Sequence, residues 1–287
     1  MRVLVTGATG MLGQDVVRTL RARGHVCLGA GSADFDLLDA EAVRRAVQGF
    51  MPEAIVHCAA YTAVDQAESE PERCAAVNGL GTLHLVRAAL AVGAKLLYVS
   101  TDYVFDGSGD RPWEAGDRPR PLNVYGLSKM QGEEAVRGLM KKYFILRTSW
   151  VFGAGGRSFV STMLRLGQER TSVRVVDDQY GAPTYTADLA RLIADMIVTD
   201  RYGIYHASNE GCCTFAQFAR AILQLSGSRC RVEAIATAEY PCAARRPLNS
   251  RLSKRSLDEA GFRRLPPWED ALRRFLAETG RKAQNRP

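Results

Sequence analysis

The chain has 287 residues, of which 46% are hydrophobic and 24% charged, and it carries a formal net charge of +7. This is ordinary globular composition, long enough for one large domain or two intimate ones, with no internal repeat, low-complexity segment or linker. No uninterrupted apolar run approaches the ~20 residues of a bilayer span. The late basic residues are interleaved with acids and carry no nucleic-acid reader motif. The charge is therefore expected to serve acidic small molecules, and neither a nucleic-acid nor a membrane partner is expected.

The first element predicted is a strand over 2–6, Arg2-Val3-Leu4-Val5-Thr6, running into Gly7, Gly10 and Gly13 and then a helix over 13–23. Strand, glycine turn and helix are the context a dinucleotide fingerprint needs. Glycine lets the backbone approach a pyrophosphate, and the helix start offers free N–H groups. Because the pattern begins at residue 2, no signal peptide is expected and a cytoplasmic location is. Strands follow over 25–28, 54–58, 95–100 and 143–147, with helices over 40–50, 70–92 and 125–140. Alternation of this kind specifies an α/β fold, a parallel sheet covered on both faces. Its functional loops lie at the strands' C-terminal ends, at 7–13, 59–65, 101–107 and 150–156. The second strand has no acid at its end to bond a ribose 2′-hydroxyl, which favours NADPH, with NADH as the alternative.

Tyr125 and Lys129 stand four apart on the fourth helix and so share a face. A unit charge about 4 Å away is worth up to ~4 kcal/mol at an effective dielectric of 20. That is enough to bring a phenol from near ~10 toward neutrality, so a lowered Tyr125 pKa is expected. Beyond residue 150 the regularity falls, with shorter helices over 215–225 and 268–279, as in a smaller lid against the sheet edge. Seven cysteines without a C-x-x-C pair and four scattered histidines give neither a disulfide framework nor a metal site.

Thr6-Gly7-x-x-Gly10-x-x-Gly13, Ser100-Thr101-Asp102 and Tyr125-x-x-x-Lys129 together resemble the extended short-chain dehydrogenase/reductase superfamily. Longer runs are similar to the dTDP-4-dehydrorhamnose reductases within it. They are 57–65 (HCAAYTAVD), 100–107 (STDYVFDG), 121–126 (PLNVYG), 147–153 (RTSWVFG), 178–184 and Arg246-Pro247-x-Asn249-Ser250-Arg251-Leu252. The resemblance implies a modified Rossmann, doubly wound parallel sheet with a smaller α/β substrate domain. Residues 1–150 and 183–208 would bind the nucleotide cofactor, and 151–182 with 209–287 the sugar nucleotide.

It also implies reduction of the C4 ketone of dTDP-4-dehydro-L-rhamnose to dTDP-L-rhamnose, the last step of rhamnose donor synthesis. Tyr125 would be the proton donor and Lys129 would lower its pKa and bond the nicotinamide ribose, both beside the cofactor, with Thr101 on the carbonyl. Gly7, Gly10, Met11, Leu12 and Gly13 would line the pyrophosphate, and Asp36 with Leu37 the adenine. Ala59, Ala60 and Tyr61 would flank the ribose, and Val99 the nicotinamide. Thr101, Asp102, Trp150, Arg245 and Arg246 would meet the sugar nucleotide. Asp15 matches one residue of a magnesium-linked dimer known in the family, but no convincing second acid matches, so no metal is expected. The protein is expected to be a monomer or homodimer. An epimerase or dehydratase on the same fold, a reductase making another deoxysugar, and a silent regulatory subunit like that of methionine adenosyltransferase are the rival readings.

Overall fold

A computed structural model of the chain describes residues 1–284. The first half runs β1 (Arg2–Thr6), α1 (Met11–Ala22), β2 (Val26–Ala30), α2 (Ala40–Phe50), β3 (Ala54–His57), α3 (Pro71–Ala91), β4 (Lys95–Thr101), α4 (Val124–Leu139) and β5 (Tyr143–Thr148). The second half holds α5 (Phe159–Glu169), β6 (Ser172–Val176), α6 (Thr186–Met196), β7 (Gly203–His206), α7 (Phe215–Leu225), β8 (Arg231–Ile235) and α8 (Trp268–Gln284).

Six strands form one parallel sheet in the order β7-β5-β4-β3-β1-β2. Successive side chains point to opposite faces, and both faces are covered, as a parallel sheet requires. Val3, Val5, Val56, Leu97 and Leu146 pack on one side under α1 and α6. Leu4, Ile55, Leu96, Tyr98 and Ile145 pack on the other side under α2, α3 and α4. The predicted alternation holds, with one strand more than the five read from sequence: β7 pairs with β5 and extends the edge.

Two features of α3 differ from expectation. The helix makes a π turn over Ala76–Leu80, where Asn78 is buried and the Thr82 hydroxyl donates to the Asn78 carbonyl at 2.7 Å. By length and composition α3 is also apolar enough to cross a membrane. Here its apolar face, with Leu85, Val86 and Ala89, is part of the core beneath the sheet.

The rest of the chain builds a second core around Phe152, Phe218, Trp268 and Phe275, flanked by the parallel pair β6–β8. It is fastened to α6 by Arg274, which donates to both oxygens of the buried Asp188 at 2.8 and 2.6 Å. Asn209 also donates to Asp188 and thereby ties in the segment after β7.

Candidate active site

Because every strand of the large sheet is parallel, the loops after β1, β3, β4 and β5 share one edge, and they touch. Gly7 takes a left-handed φ of 67°, and a Cβ there would lie 2.6 Å from the Ala59 backbone nitrogen. A Cβ on Gly13 would lie 2.0 Å from the Gly7 carbonyl oxygen. Only glycine permits so close a stacking of loop and helix. Gly10 is the N-cap of α1 and offers no side-chain cap, so the first N–H groups of the helix remain open to an anion. This cradle fits a dinucleotide pyrophosphate. Met11 and Leu12 are half-buried behind it, and Gly156 from the loop after β5 closes on Met11.

The other cofactor candidates surround this turn. Ala59, Ala60 and Tyr61 continue from β3 and are half-buried, as is Val99 in β4. Asp36 is exposed, and its carboxylate accepts from the Leu38 N–H at 2.9 Å, while the Leu37 carbonyl lies 3.0 Å from His84 Nδ1. No acid directly ends β2 in the sequence, but in the fold Asp34 turns back there and accepts from the Gly31 N–H at 2.7 Å.

Thr101 ends β4 and caps the short 3₁₀ turn that follows, its Oγ1 accepting from the Tyr103 N–H at 3.2 Å. The same hydroxyl donates to Asp102 Oδ1 at 3.0 Å. Across from it Asn123 caps α4, accepting from the Gly126 N–H at 2.8 Å, and so sets the first turn that carries Tyr125. Gly126 allows that turn to pack on the Tyr103 carbonyl, where a Cβ would come within 2.2 Å. The Tyr125 ring meets Tyr103 edge-on at 5.8 Å. Lys129 is buried one turn on, its Nζ 4.1 Å above the Tyr98 ring.

The electrostatics overturn one expectation. Burial pushes the Tyr125 phenol well above its ordinary range, the Thr101 hydroxyl pulls it back, and Asp102 and Cys74 push it further. Lys129 does not offset this in the resting protein, because it is itself neutral by the pH at which so raised a phenol ionises. Desolvation lowers Lys129 itself to about 7, against the upward pull of Glu133, Cys58 and Cys74. Charge proximity does not win over burial in this state of the protein.

On the substrate side, Trp150 adopts φ 47°, stacks on Phe215 at 3.7 Å and covers Gly181, so it is both core and wall. Asp102 is buried beside Thr101, and burial raises its carboxyl to about 6. Arg245 is exposed, and its guanidinium makes no hydrogen bond or ion pair among the described residues. Arg246 is already engaged: Nη1 and Nη2 donate to the two oxygens of Asp65 at 3.0 and 2.7 Å. Asp15, the candidate half of a metal pair, accepts from Thr186 at 2.5 Å and from Arg18 at 2.6 Å. Among the described residues no cluster of histidine, cysteine, aspartate and glutamate could hold a metal ion.

Several supporting residues escaped sequence reasoning. Asn78 accepts from the Tyr61 N–H at 2.8 Å, and its own amide donates to the Tyr61 carbonyl and to Ser128 Oγ. Ser128 in turn donates to the Tyr125 carbonyl at 2.7 Å, so the π turn of α3 braces both the loop after β3 and the start of α4. Glu133 and Arg147 form a fully buried bidentate pair at 2.8 and 2.6 Å, and Ser100 donates to the same carboxylate.

Comparison with known proteins bears on the family and the fold. The family model described as the RmlD substrate binding domain matches residues 1–281. A dTDP-4-dehydrorhamnose reductase of Streptomyces griseus is 43% identical, covering 100% of this chain and 97% of that one. The spore coat polysaccharide biosynthesis protein SpsK of Bacillus subtilis is 40% identical over 96% of this chain and 97% of its own length. The crystal structure of dTDP-4-dehydrorhamnose reductase from Bacillus anthracis, in complex with NADP, superposes with a TM-score of 0.94 at 42% identity, covering 96% of this chain and 99% of that one. The glycine cradle, the Thr101–Tyr125–Lys129 cluster and an end-to-end match at this identity lead to one conclusion: the chain belongs to the RmlD family of dTDP-4-dehydrorhamnose reductases.

Proposed function

We infer that the protein reduces the C4 ketone of dTDP-4-dehydro-L-rhamnose to give dTDP-L-rhamnose, with NADPH as the reductant. The observation that carries this reading is the intact Thr101, Tyr125 and Lys129 set at the end of β4 and the start of α4, on the same sheet edge as the glycine cradle. Residues 1–150 with 183–208 would hold the cofactor, and 151–182 with 209–287 the sugar nucleotide.

NADPH, when bound, supplies the hydride that reaches C4. Gly7, Gly10, Met11, Leu12 and Gly13 would hold its pyrophosphate, Asp36 and Leu37 its adenine end, and Ala59, Ala60, Tyr61 and Val99 the remainder. Thr101 holds the C4 oxygen. Tyr125 then gives its phenolic proton to that oxygen as it becomes an alkoxide, and the phenolate recovers a proton from solvent. The phenol is held well above its ordinary pKa before substrate arrives, so it enters the reaction fully protonated. Lys129, buried on the next turn, is placed to stabilise the phenolate as it forms. Trp150 walls the sugar pocket. Arg245 and Arg246 would clamp the diphosphate, since a guanidinium pairs bidentately with phosphate oxygens.

The test is consumption of NADPH, and separately NADH, with dTDP-4-dehydro-L-rhamnose, the product being identified by NMR. Sugar-dependent oxidation yielding the L-rhamnose nucleotide supports the reading. Turnover of the sugar without net reductant loss would point to an epimerase instead.

A further inference from the structure

The hydrogen bonds around Thr101 do not balance with an ionised Asp102. A hydroxyl has one hydrogen to give and two lone pairs to receive. Thr101 Oγ1 receives the Tyr103 N–H at 3.2 Å and sends its hydrogen to Asp102 Oδ1 at 3.0 Å. That hydrogen is then committed to the carboxylate. The Tyr125 phenol, also in hydrogen-bond reach of Thr101, gives its O–H to the second lone pair, and no Thr101 hydrogen is left for a substrate carbonyl. Meanwhile Asp102 is 3% exposed, and its Oδ2 is buried with no hydrogen-bond partner among the described residues. A buried carboxylate with a bare oxygen is costly unless it is neutral.

Among the described residues no cation pairs with it. The groups acting on Asp102 are the Ser250 hydroxyl, which faces the carboxyl without closing a hydrogen bond on Oδ2, the Thr101 hydroxyl and its own backbone. Its titratable neighbours Tyr103 and Tyr125 are phenols. The Arg246 guanidinium, which lies against Tyr103, is committed to Asp65. Burial accordingly raises the Asp102 carboxyl from 3.8 to about 6.

Protonation reverses the bond. The acid O–H of Asp102 then takes the second lone pair of Thr101 Oγ1 in place of the Tyr125 O–H, and both the Thr101 hydrogen and the Tyr125 proton are released toward the substrate oxygen. We propose that Asp102 is a positioning residue that acts in its protonated form, turning the Thr101 hydroxyl hydrogen toward the carbonyl oxygen to be reduced. This rests on the ketone reduction inferred above. Asp102 keeps its proton throughout: the hydride goes to C4, the Tyr125 proton goes to the oxygen, and Asp102 only orients the third partner.

The test is the pH dependence of kcat/KM for dTDP-4-dehydro-L-rhamnose at saturating NADPH, between pH 5 and 9, for the wild type, Asp102→Asn and Ser250→Ala. The active form lies below the pKa, so wild-type kcat/KM falls as pH rises through about 6. Above that point it loses about tenfold per pH unit from this group alone. The corresponding limb in kcat lies at higher pH, because bound sugar removes more water from the carboxyl.

In Asp102→Asn the carboxamide N–H donates to Thr101 at every pH, so the slope of log kcat/KM drops by one unit. Lys129, lowered to about 7, contributes its own limb in all three proteins and is not mistaken for Asp102. Ser250→Ala loses a hydroxyl that holds the carboxyl down, so the Asp102 limb moves to higher pH.

An ionised Asp102 that merely accepts from a sugar hydroxyl gives the opposite sign, activity lost as pH falls through the same point. That result overturns the proposal, as does an Asp102→Asn profile that keeps the wild-type slope. If Asp102→Asn fails to bind NADPH, the sign of the wild-type limb and the Ser250→Ala shift decide, and an unmoved limb is fatal. Absence of sugar-dependent NADPH oxidation at any pH would instead sink the reductase reading itself.

Discussion

The guanidinium of Arg246 closes on both carboxylate oxygens of Asp65, at 3.0 and 2.7 Å, and so joins the loop after β3 to the loop carrying the candidate diphosphate arginines. Asp65 also accepts from the Ala244 N–H at 3.1 Å, which fixes the backbone next to the arginine. The pairing uses the two terminal nitrogens, and the same guanidinium hydrogen-bonds the Tyr103 hydroxyl, so Asp65 and Tyr103 together fix the fork that would meet a diphosphate.

Asp65 therefore orients Arg246 as well as balancing its charge. Asp65→Ala is expected to raise the sugar-nucleotide KM about fivefold, close to ~1 kcal/mol for a half-exposed pair. Arg246→Ala also loses the phosphate contact and is expected to cost ~1.5–3 kcal/mol, roughly 10- to 150-fold. The NADPH KM should stay within about twofold in both, at the low end of a surface substitution. Steady-state kinetics with each substrate varied would refute the assignment if NADPH, not the sugar nucleotide, took the loss.

Tyr125→Phe removes the proton donor and keeps the ring that packs on Tyr103. Turnover is expected to fall by about 10²–10⁴ while NADPH affinity, measured by fluorescence titration, stays unchanged. Full turnover in this variant would remove Tyr125 from the chemistry.

Lys129 offers a stability test of its own burial. Its folded pKa, about 7, lies below the ordinary 10.5 because desolvation dominates. Between those values the unfolded chain binds more protons at this site than the native one, so the lysine favours folding progressively as pH rises. At pH 7 and below it carries the full cost of a buried charge. Lys129→Met is thus expected to be the more stable protein at pH 7, with its advantage shrinking toward pH 10. Chemical denaturation at several pH values measures the difference. An advantage that grows with pH would mean that the lysine is not desolvated.

Much of this site was legible before the fold. The glycine spacing, the Thr101–Asp102 pair and the Tyr125–Lys129 interval are local patterns, and local patterns survive in sequence. What sequence did not disclose depends on distant partners. Arg147 sits inside a strand, where a charge reads as a break in an apolar run, and only the fold shows that Glu133 neutralises it. Asp65 and Arg246 are 181 residues apart. The β7 strand is four residues with no alternation to mark it, and its place at the sheet edge comes from pairing with β5. The direction of the Tyr125 pKa is not legible in the spacing Tyr-x-x-x-Lys, which fixes a shared helix face. It fixes neither the depth of burial nor the pull of the Tyr98 ring on the ammonium.

The Glu133–Arg147 pair is 2% and 1% exposed, so the removal of one partner strands the other charge. Glu133→Gln is expected to destabilise the protein by ~3–5 kcal/mol, read by urea unfolding. It should also lower the Lys129 pKa further, since Glu133 is the largest influence raising it. A loss below about 1 kcal/mol would be that of a surface pair and would contradict the burial.

Gly13 separates backbone approach from general stability. A Cβ at that position would stand 2.0 Å from the Gly7 oxygen and 2.8 Å from the Ala8 Cα, both backbone atoms that cannot swing aside. Gly13→Ala must push the turn away from α1, and overpacking of this kind costs ~1–3 kcal/mol. NADPH affinity should fall by a comparable amount, roughly 5- to 150-fold. Gly49, inside α2, is the matched control, because a Cβ there would meet nothing within 4 Å. Gly49→Ala should raise stability by about 1 kcal/mol through helix propensity and leave NADPH affinity alone. If Gly13→Ala binds NADPH as tightly as Gly49→Ala does, the turn's close packing is not what holds the pyrophosphate. The open N–H groups of α1 would then have to account for the affinity by themselves.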